Sequence, residues 1–345
     1  MTGRQEGFRL HGWGDDPAWE AFDVPEAPPG WALIQVEACG IGLTVLNLIR
    51  GPGFATDAGL PRVPGHELVG RVVETGSAAD AGWVGRRVTA YFYLFCGTCD
   101  ECTARLEDRC RNLAGLVGVE TDGGYAPFTA LPVRNLIPLP EDLEPVAATV
   151  VADAVATPVH IARSRARLTP FDRVAVIGAG GGVGIHLVQV AQVFGARVAG
   201  LDVTNDKLAE ISNLGARPVP SADFDGLDPR FWPDGGPTAI VDFIGRPESL
   251  AWAQRAIERG GRIVVMTSFK DVAATLEPWR LVEWEAAIIG SRYATRAEVK
   301  LAADLVAAGR IRPIIGLTVP AREALEIHRR LRSQELVGRG AILWT

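Results

Sequence analysis

The sequence predicts an α/β chain in which a β-rich domain is followed by a doubly wound parallel-sheet domain. Three observations predict it. From Trp31 to Arg134, short apolar or alternating runs are separated by Gly and Pro; after Pro145, continuous apolar strands alternate with helical stretches; and Gly178, Gly180, Gly181, Gly182 and Gly184 cluster where one strand gives way to a helix. At 345 residues with 48% hydrophobic content, the chain has room for two domains of ordinary size.

The expected strands of the first domain are Ala32 to Ala38, Leu68 to Glu74, Arg87 to Tyr93 and Tyr125 to Val133. In the second domain, Val174 to Ile177, Arg197 to Leu201, Ala239 to Val241 and Arg262 to Met266 read as buried strands. The helical stretches Val183 to Phe194, Asp206 to Leu214 and Glu248 to Glu258 alternate with them. Strands without polar alternation, each followed by a helix, imply a parallel sheet covered on both faces. Two amphipathic helices, Arg296 to Ala308 and Arg322 to Leu331, and a last strand, Gly340 to Trp344, close the chain and fit either domain on pattern alone.

Composition excludes some partners. The 35 basic and 41 acidic residues are interspersed, with a net charge of -6 and no basic stripe, which disfavours nucleic acid and anionic membrane. The run Val174 to Ala196 carries no formal charge and is long enough to span a bilayer, but its glycines break it into strand, turn and helix. Met1 to Leu10 lacks an apolar export segment, and with sparse cysteine this points to the reducing cytoplasm.

Four of the five cysteines, Cys96, Cys99, Cys102 and Cys110, form a C-x2-C-x2-C-x7-C loop. That spacing suits a closed tetrathiolate zinc site, in which a complete tetrahedral shell stabilises the loop and leaves no position for substrate. Two disulfides are the alternative. A chain this long can bury a core without such staples, which favours zinc.

In Val174-Ala-Val-Ile-Gly-Ala-Gly-Gly-Gly-Val-Gly184, a glycine-rich turn leads into a helix whose N-terminal N–H groups and partial positive charge suit a pyrophosphate. The frame is imperfect, because Ala179 holds the first glycine position and Gly181 and Gly184 the others. Asp202 ends the following strand at about the ~20-residue spacing expected of a carboxylate that takes the ribose hydroxyls. A carboxylate there repels a 2′-phosphate, and Val203 and Thr204 provide no Arg to attract one, so the reading is NAD(H) over NADP(H). A plain glycine turn beside an ordinary helix-flanking Asp is the competing account.

Together, the cysteine loop ahead of the nucleotide-binding half, Gly65-His66-Glu67, Asp153-Ala154 with Thr157-Pro158, Asp202 with Lys207, and Val241-Asp242-Phe243-Ile244-Gly245 resemble the zinc-containing alcohol dehydrogenases of the medium-chain dehydrogenase/reductase superfamily. The resemblance covers nearly the whole chain. It implies a GroES-like catalytic domain over 1–155, a Rossmann domain over 156–290 and a return to the catalytic domain over 291–345. It further implies cofactor contacts at Gly181, Gly182, Val183, Gly184, Asp202, Lys207, Ile244 and Arg339, and assembly as a homodimer or homotetramer.

The sequence departs from the family at the catalytic metal. Where the family carries its first zinc ligand, a Cys, this chain has Gly42, followed by Leu43 and Thr44. The second and third ligand positions fall on His66 and Asp153. Cys39 lies an odd number of residues before the vacant place, hence on the opposite face of a strand, and reads as a core cysteine. With Glu67 recruited, His66, Glu67 and Asp153 could hold a weak zinc; the expectation leans to a vacant or weakly occupied site. A hydrogen-bonded His66–Asp153 pair is the structural alternative. In the family's proton relay, Thr44 matches the hydroxyl, while Asn47 stands where a His would titrate; His66 could serve instead as acid or base. Tyr91, Phe92 and Tyr93 read as core or pocket lining, His160 and His186 as packed, and His11 and His328 as surface residues.

The leading expectation is an NAD-dependent oxidoreductase acting on a small alcohol or carbonyl. Two others stand beside it: a zinc-independent enzyme that reduces an activated C=C or C=N bond or catalyses a non-redox cleavage, and a non-enzymatic nucleotide sensor.

Overall fold

The computed structural model describes residues 3–51, 59–267 and 272–344. Met1 and Thr345, the outer limits of the expected domains, lie outside them. The chain divides into two compact units, one of Met1–Ala156, Ala294–Gly309 and Ile315–Thr345, the other of Thr157–Tyr293 and Arg310–Ile314.

The first unit is built on a seven-stranded sheet. Across it run Ile315–Pro320, Arg339–Leu343, Trp31–Ile41, Glu67–Thr75, Arg87–Ala90 and Leu136–Pro138, with Phe128–Pro132 also paired to Trp31–Ile41. The long strand Trp31–Ile41 alternates too little to face water, and Ala32, Leu33, Ile34, Val36 and Ala38 are all buried. Two pairings bring distant segments together. Gly40 lies opposite Glu67, and Gly340 lies antiparallel to Ile41, so Arg339 and Gly42 follow as the next positions on facing chains. The strand expected over Arg87 to Tyr93 ends at Ala90. Beyond it, the Asn135 amide donates to the carbonyls of Tyr91 and Tyr93, replacing ladder bonds.

The second unit holds a six-stranded, wholly parallel sheet in the order Arg217–Pro220, Arg197–Asp202, Arg173–Ile177, Ala239–Asp242, Arg262–Val265 and Ala287–Gly290. In chain order within the unit this is 3-2-1-4-5-6, the doubly wound Rossmann arrangement. Ile177, Leu201, Ile240, Ile263, Phe231 and Trp252 fill one face, and the Trp252 indole donates to the Leu227 carbonyl. The uncharged run from Val174 breaks as its glycines require, into Arg173–Ile177 and the helix Gly184–Val193.

Arg310–Ile314 belongs with this second unit, whereas the resemblance implies that 291–345 returns to the first. Side chains of the helix Gly184–Val193 hold it there. Gln189 donates to Arg312 O and accepts from Arg312 N, while Ile314 N donates to His186 Nε2 at 3.0 Å. One helix, Pro145–Arg165, is long and apolar enough to cross a membrane, but 83% of its apolar window is buried inside the protein, so it is a core helix. It widens to π-type turns at Val151–Val155 and Ile161–Arg165.

His328, read from sequence as a surface residue, is fully buried, with Nε2 2.8 Å from the Tyr125 hydroxyl. Its helix, Ala324–Arg332, buries Ala324, Ile327, His328 and Leu331, a stripe of helical spacing that carries His328 inward despite Arg329, Arg330 and Arg332 around it. Burial and the nearby Arg332 charge push the imidazole down to about 4, against the opposing pull of Asp16. His11 is exposed and pairs with Glu20 at 3.0 Å.

Candidate active site

In the first unit, three elements converge on one buried cluster. His66 precedes, and Glu67 begins, the strand Glu67–Thr75; Asp153 sits in the first π-type turn of the core helix; Arg339 opens the last strand. A widened turn rotates its residues relative to a regular helix, and such turns recur at functional sites. The donor atoms of His66, Glu67 and Asp153 all lie within 4.8 Å of one another.

Arg339 occupies the middle of this cluster. Its Nη2 donates to Glu67 Oε1 at 2.7 Å and to Asp153 Oδ2 at 2.9 Å, and the side chain is 3% exposed. Burial works against the guanidinium charge, but Glu67 and Asp153 outweigh it and raise its pKa above the ordinary value. Burial pushes the Glu67 carboxyl up, against the stabilising Arg339 charge. His66 Nε2 stands 3.5 Å from Asp153 Oδ2, and its ring packs on Phe92 with centroids 4.3 Å apart. Among the described residues, neither His66 ring nitrogen, nor Glu67 Oε2, nor Arg339 Nε has a hydrogen-bond partner.

Arg339, which the resemblance places among the cofactor contacts, turns one guanidinium nitrogen, Nη2, to the two carboxylates of this centre. Gly42 is explained by the same residue. Its backbone is ordinary and extended (φ -130°, ψ -179°), so no left-handed conformation demands glycine there. A Cβ at position 42 would overlap Arg339 Nη1 and Cζ and lie 3.1 Å from Nε. Glycine makes room for the guanidinium, and a cysteine added at 42 would meet Arg339 before any metal. At this centre the position of the family's thiolate carries no donor, and the guanidinium of Arg339 engages two of the three remaining ligand groups, His66, Glu67 and Asp153.

Thr44 and Asn47 lie on the short helix Leu43–Ile49, Thr44 half-buried in its first turn and Asn47 exposed. Neither joins the hydrogen-bonded cluster. Tyr91, Phe92 and Tyr93 are buried, and the Tyr91 hydroxyl donates to Ala294 O at 2.8 Å. Cys39 is fully buried between strands, and burial raises its thiol well above the usual range.

The cysteine loop does fit a metal. The Sγ atoms of Cys96 and Cys102 are 3.8 Å apart and those of Cys99 and Cys110 4.0 Å apart. A tetrahedron with Zn–S of 2.3 Å has edges of about 3.8 Å, whereas a disulfide needs about 2.05 Å. Backbone N–H groups of Thr98 and Cys99 donate to Cys96 Sγ and bring its thiol down to about 5. Burial, with competition from Cys99, Cys110 and Cys96, drives Cys102 up to about 12. Four thiols this crowded ionise together only around a dication, which Cys96, Cys99, Cys102 and Cys110 would hold as a closed structural site.

In the second unit, the glycine turn and Asp202 are tied together. Gly180 N donates to Asp202 Oδ2 and Val203 N to Oδ1, both at 2.8 Å, and Lys207 Nζ stands 3.8 Å from Oδ1. Lys207 packs over Gly180, where a Cβ would come within 2.8 Å of Lys207 Cδ. At Gly184 a Cβ would lie 2.9 Å from Ala179 Cα, so only glycine lets the helix start this close to the strand. Gly181, Gly182 and Val183 form the intervening turn. Asp242, quoted in the sequence only as part of a motif, organises the next loop: Oδ1 accepts from Ile244 N and Gly245 N, and Oδ2 from the Ser249 hydroxyl. Its position at the end of an apolar strand, as with Asp202, was the available signal.

Both units have known relatives. Residues 28–141 match the alcohol dehydrogenase GroES-like domain family and residues 182–308 the zinc-binding dehydrogenase family. An alcohol dehydrogenase of Geobacillus stearothermophilus is 30% identical over 91% of this chain and 92% of its own length. An acryloyl-coenzyme A reductase of Metallosphaera sedula is 28% identical over 94% of this chain and 96% of its own. The crystal structure of AibC superposes with a TM-score of 0.90 at 29% identity, covering 99% and 96% of the two chains. The chain belongs to the zinc-containing alcohol dehydrogenase family of the medium-chain dehydrogenase/reductase superfamily. It is, accordingly, a nicotinamide-dependent oxidoreductase of the alcohol-dehydrogenase-like type.

Proposed function

We propose that this enzyme transfers hydride between NAD(H) and a small alcohol or carbonyl compound, with one structural zinc and no catalytic one. The observation that carries the reading is the guanidinium of Arg339 seated between Glu67 and Asp153 beside Gly42, where the family's metal chemistry would need a free donor set. Carbonyl polarisation then falls to hydrogen-bond donors. In the reducing direction, hydride passes to the carbonyl carbon and a proton to its oxygen, giving alcohol and oxidised nicotinamide. His66, buried, with neither ring nitrogen in a hydrogen bond and Nε2 3.5 Å from Asp153 Oδ2, is suited to supply that proton, with the Thr44 hydroxyl as a relay and Asn47 unable to titrate.

The preference for NAD(H) rests on Asp202, whose carboxylate already draws on Gly180 and Val203 and would repel a 2′-phosphate. Gly181, Gly182, Val183, Gly184, Lys207 and Ile244 complete the proposed cofactor contacts. A second reading is favoured by the Metallosphaera relative, named as a reductase of an acryloyl thioester. Hydride addition to an activated C=C bond needs an oxyanion donor at the thioester oxygen and no metal. Assembly as a homodimer or homotetramer belongs to the same proposal, consistent with the exposed Trp279 and Val282 on the helix Pro278–Trp284 and Ile288 on the edge strand Ala287–Gly290. A screen of aldehydes, ketones and enoyl thioesters, following consumption of NADH and of NADPH in protein of known metal content, tests both readings. Turnover only after addition of a second equivalent of zinc would reject the metal-free centre.

A further inference from the structure

We infer that Arg339 is the resident cation of the catalytic centre in place of a divalent metal, and that its guanidinium, rather than the missing thiolate alone, keeps His66, Glu67 and Asp153 from binding one. The inference deepens the zinc-free reading and rests on it.

The placement is set by the fold. Antiparallel pairing of Gly340 with Ile41 brings Arg339 opposite Gly42, and the absence of a side chain at 42 admits the guanidinium. From there a single nitrogen, Nη2, donates to Glu67 and Asp153 together, at 2.7 and 2.9 Å, in a setting where Glu67 is 0% and Arg339 3% exposed. A dication added beside Arg339 would meet a like charge within a few ångströms in a dry site. Remove the guanidinium and the balance reverses. Two carboxylates and an imidazole whose nitrogens have no other partner, with ligand atoms within 4.8 Å, are then a donor set for zinc with a fourth position open to water.

The test counts zinc per chain in the full-length protein after equilibration with excess zinc and removal of loosely bound ion. The parent should hold one, on the cysteine loop. Arg339→Ala and Arg339→Gln should each hold two, and His66→Ala added to either should return the count to one. Cobalt(II) gives an independent reading, because a nitrogen and oxygen site lacks the thiolate charge-transfer bands of the cysteine site. Two zincs in the parent would overturn the inference, as would folded Arg339 variants that stay at one. Should both Arg339 variants fail to fold, Arg339→Met, which keeps the length and bulk of the side chain without its charge, takes their place: two zincs sustain the exclusion and one refutes it. NADH binding, titrated in the same samples, separates this from the proposed function: loss of nucleotide binding in the parent would sink that reading and leave the zinc counts to judge the arginine.

Discussion

Replacing Gly42 by alanine places a methyl group inside the guanidinium of Arg339, overlapping Nη1 and Cζ. The backbone there is extended and negative in φ, so alanine adds no conformational strain and the whole cost falls on the contact. If the arginine stays, the site is overpacked by a methyl group against a planar cation, at about 1–3 kcal/mol. If it moves, Glu67 and Asp153 lose the bonds at 2.7 and 2.9 Å, and unpairing buried charges costs about 3–5 kcal/mol. A loss of about 3 kcal/mol is expected. In an Arg339→Ala background the same substitution meets open space and should change stability by less than about 0.5 kcal/mol. The coupling energy is then about 2–3 kcal/mol. Urea unfolding of the parent, both single variants and the double variant, in zinc-containing buffer and followed by tryptophan fluorescence, measures it. If the two units melt separately, the transition that moves on Arg339→Ala is the one to analyse. Additive single effects, within about 0.5 kcal/mol, would refute the claim that Gly42 exists to seat Arg339.

Three further outcomes are expected. NADH should bind about a hundredfold more tightly than NADPH, and Asp202→Ala should narrow that gap by at least tenfold in fluorescence titrations, since each tenfold step is about 1.4 kcal/mol; an unchanged ratio would remove Asp202 from the specificity argument. His328, held to about 4 when folded against an ordinary value near 6.5, must be neutral in the native state, so the unfolded chain binds the extra proton; stability is full above pH 6.5 and falls by up to about 3 kcal/mol as pH drops to 4. His328→Gln should flatten that part of the stability profile, and a profile identical to the parent's would disprove the assignment. Cys99→Ser should lower the zinc count from one to near zero and reduce Tm by more than 10 °C, because binding energy at a structural site is folding energy; retention of a full equivalent by the variant would contradict a four-thiolate site.

The fold of the second unit was legible in sequence because its signals are local. A strand, a glycine turn, a helix and a strand-terminal aspartate follow one another within a short stretch, and each side chain acts near its own backbone. The cysteine loop was legible for the same reason. The arginine centre was not, because Arg339 and Glu67 are separated by 272 residues and meet only through the antiparallel register of Gly340 with Ile41. In the sequence Gly42 reads as an absent ligand; that its missing side chain is a space for another residue appears only in three dimensions. His328 is a different kind of miss. The positions Ala324, Ile327, His328 and Leu331 carried the buried periodicity, but the three flanking arginines masked it. The inward aim of Asp153 depends on a π-type turn that no pattern of residues announces.

The central claim is hydride transfer at a centre whose cation is an arginine. It is tested most directly by a single-turnover experiment with NADH deuterated at C4, in protein shown by metal analysis to carry one zinc per chain, using a substrate identified in the screen. The account predicts deuterium on the product carbon at an unchanged rate when a chelator that spares the cysteine site is present. Transfer that appears only with a second bound zinc, and vanishes on its removal, would contradict it.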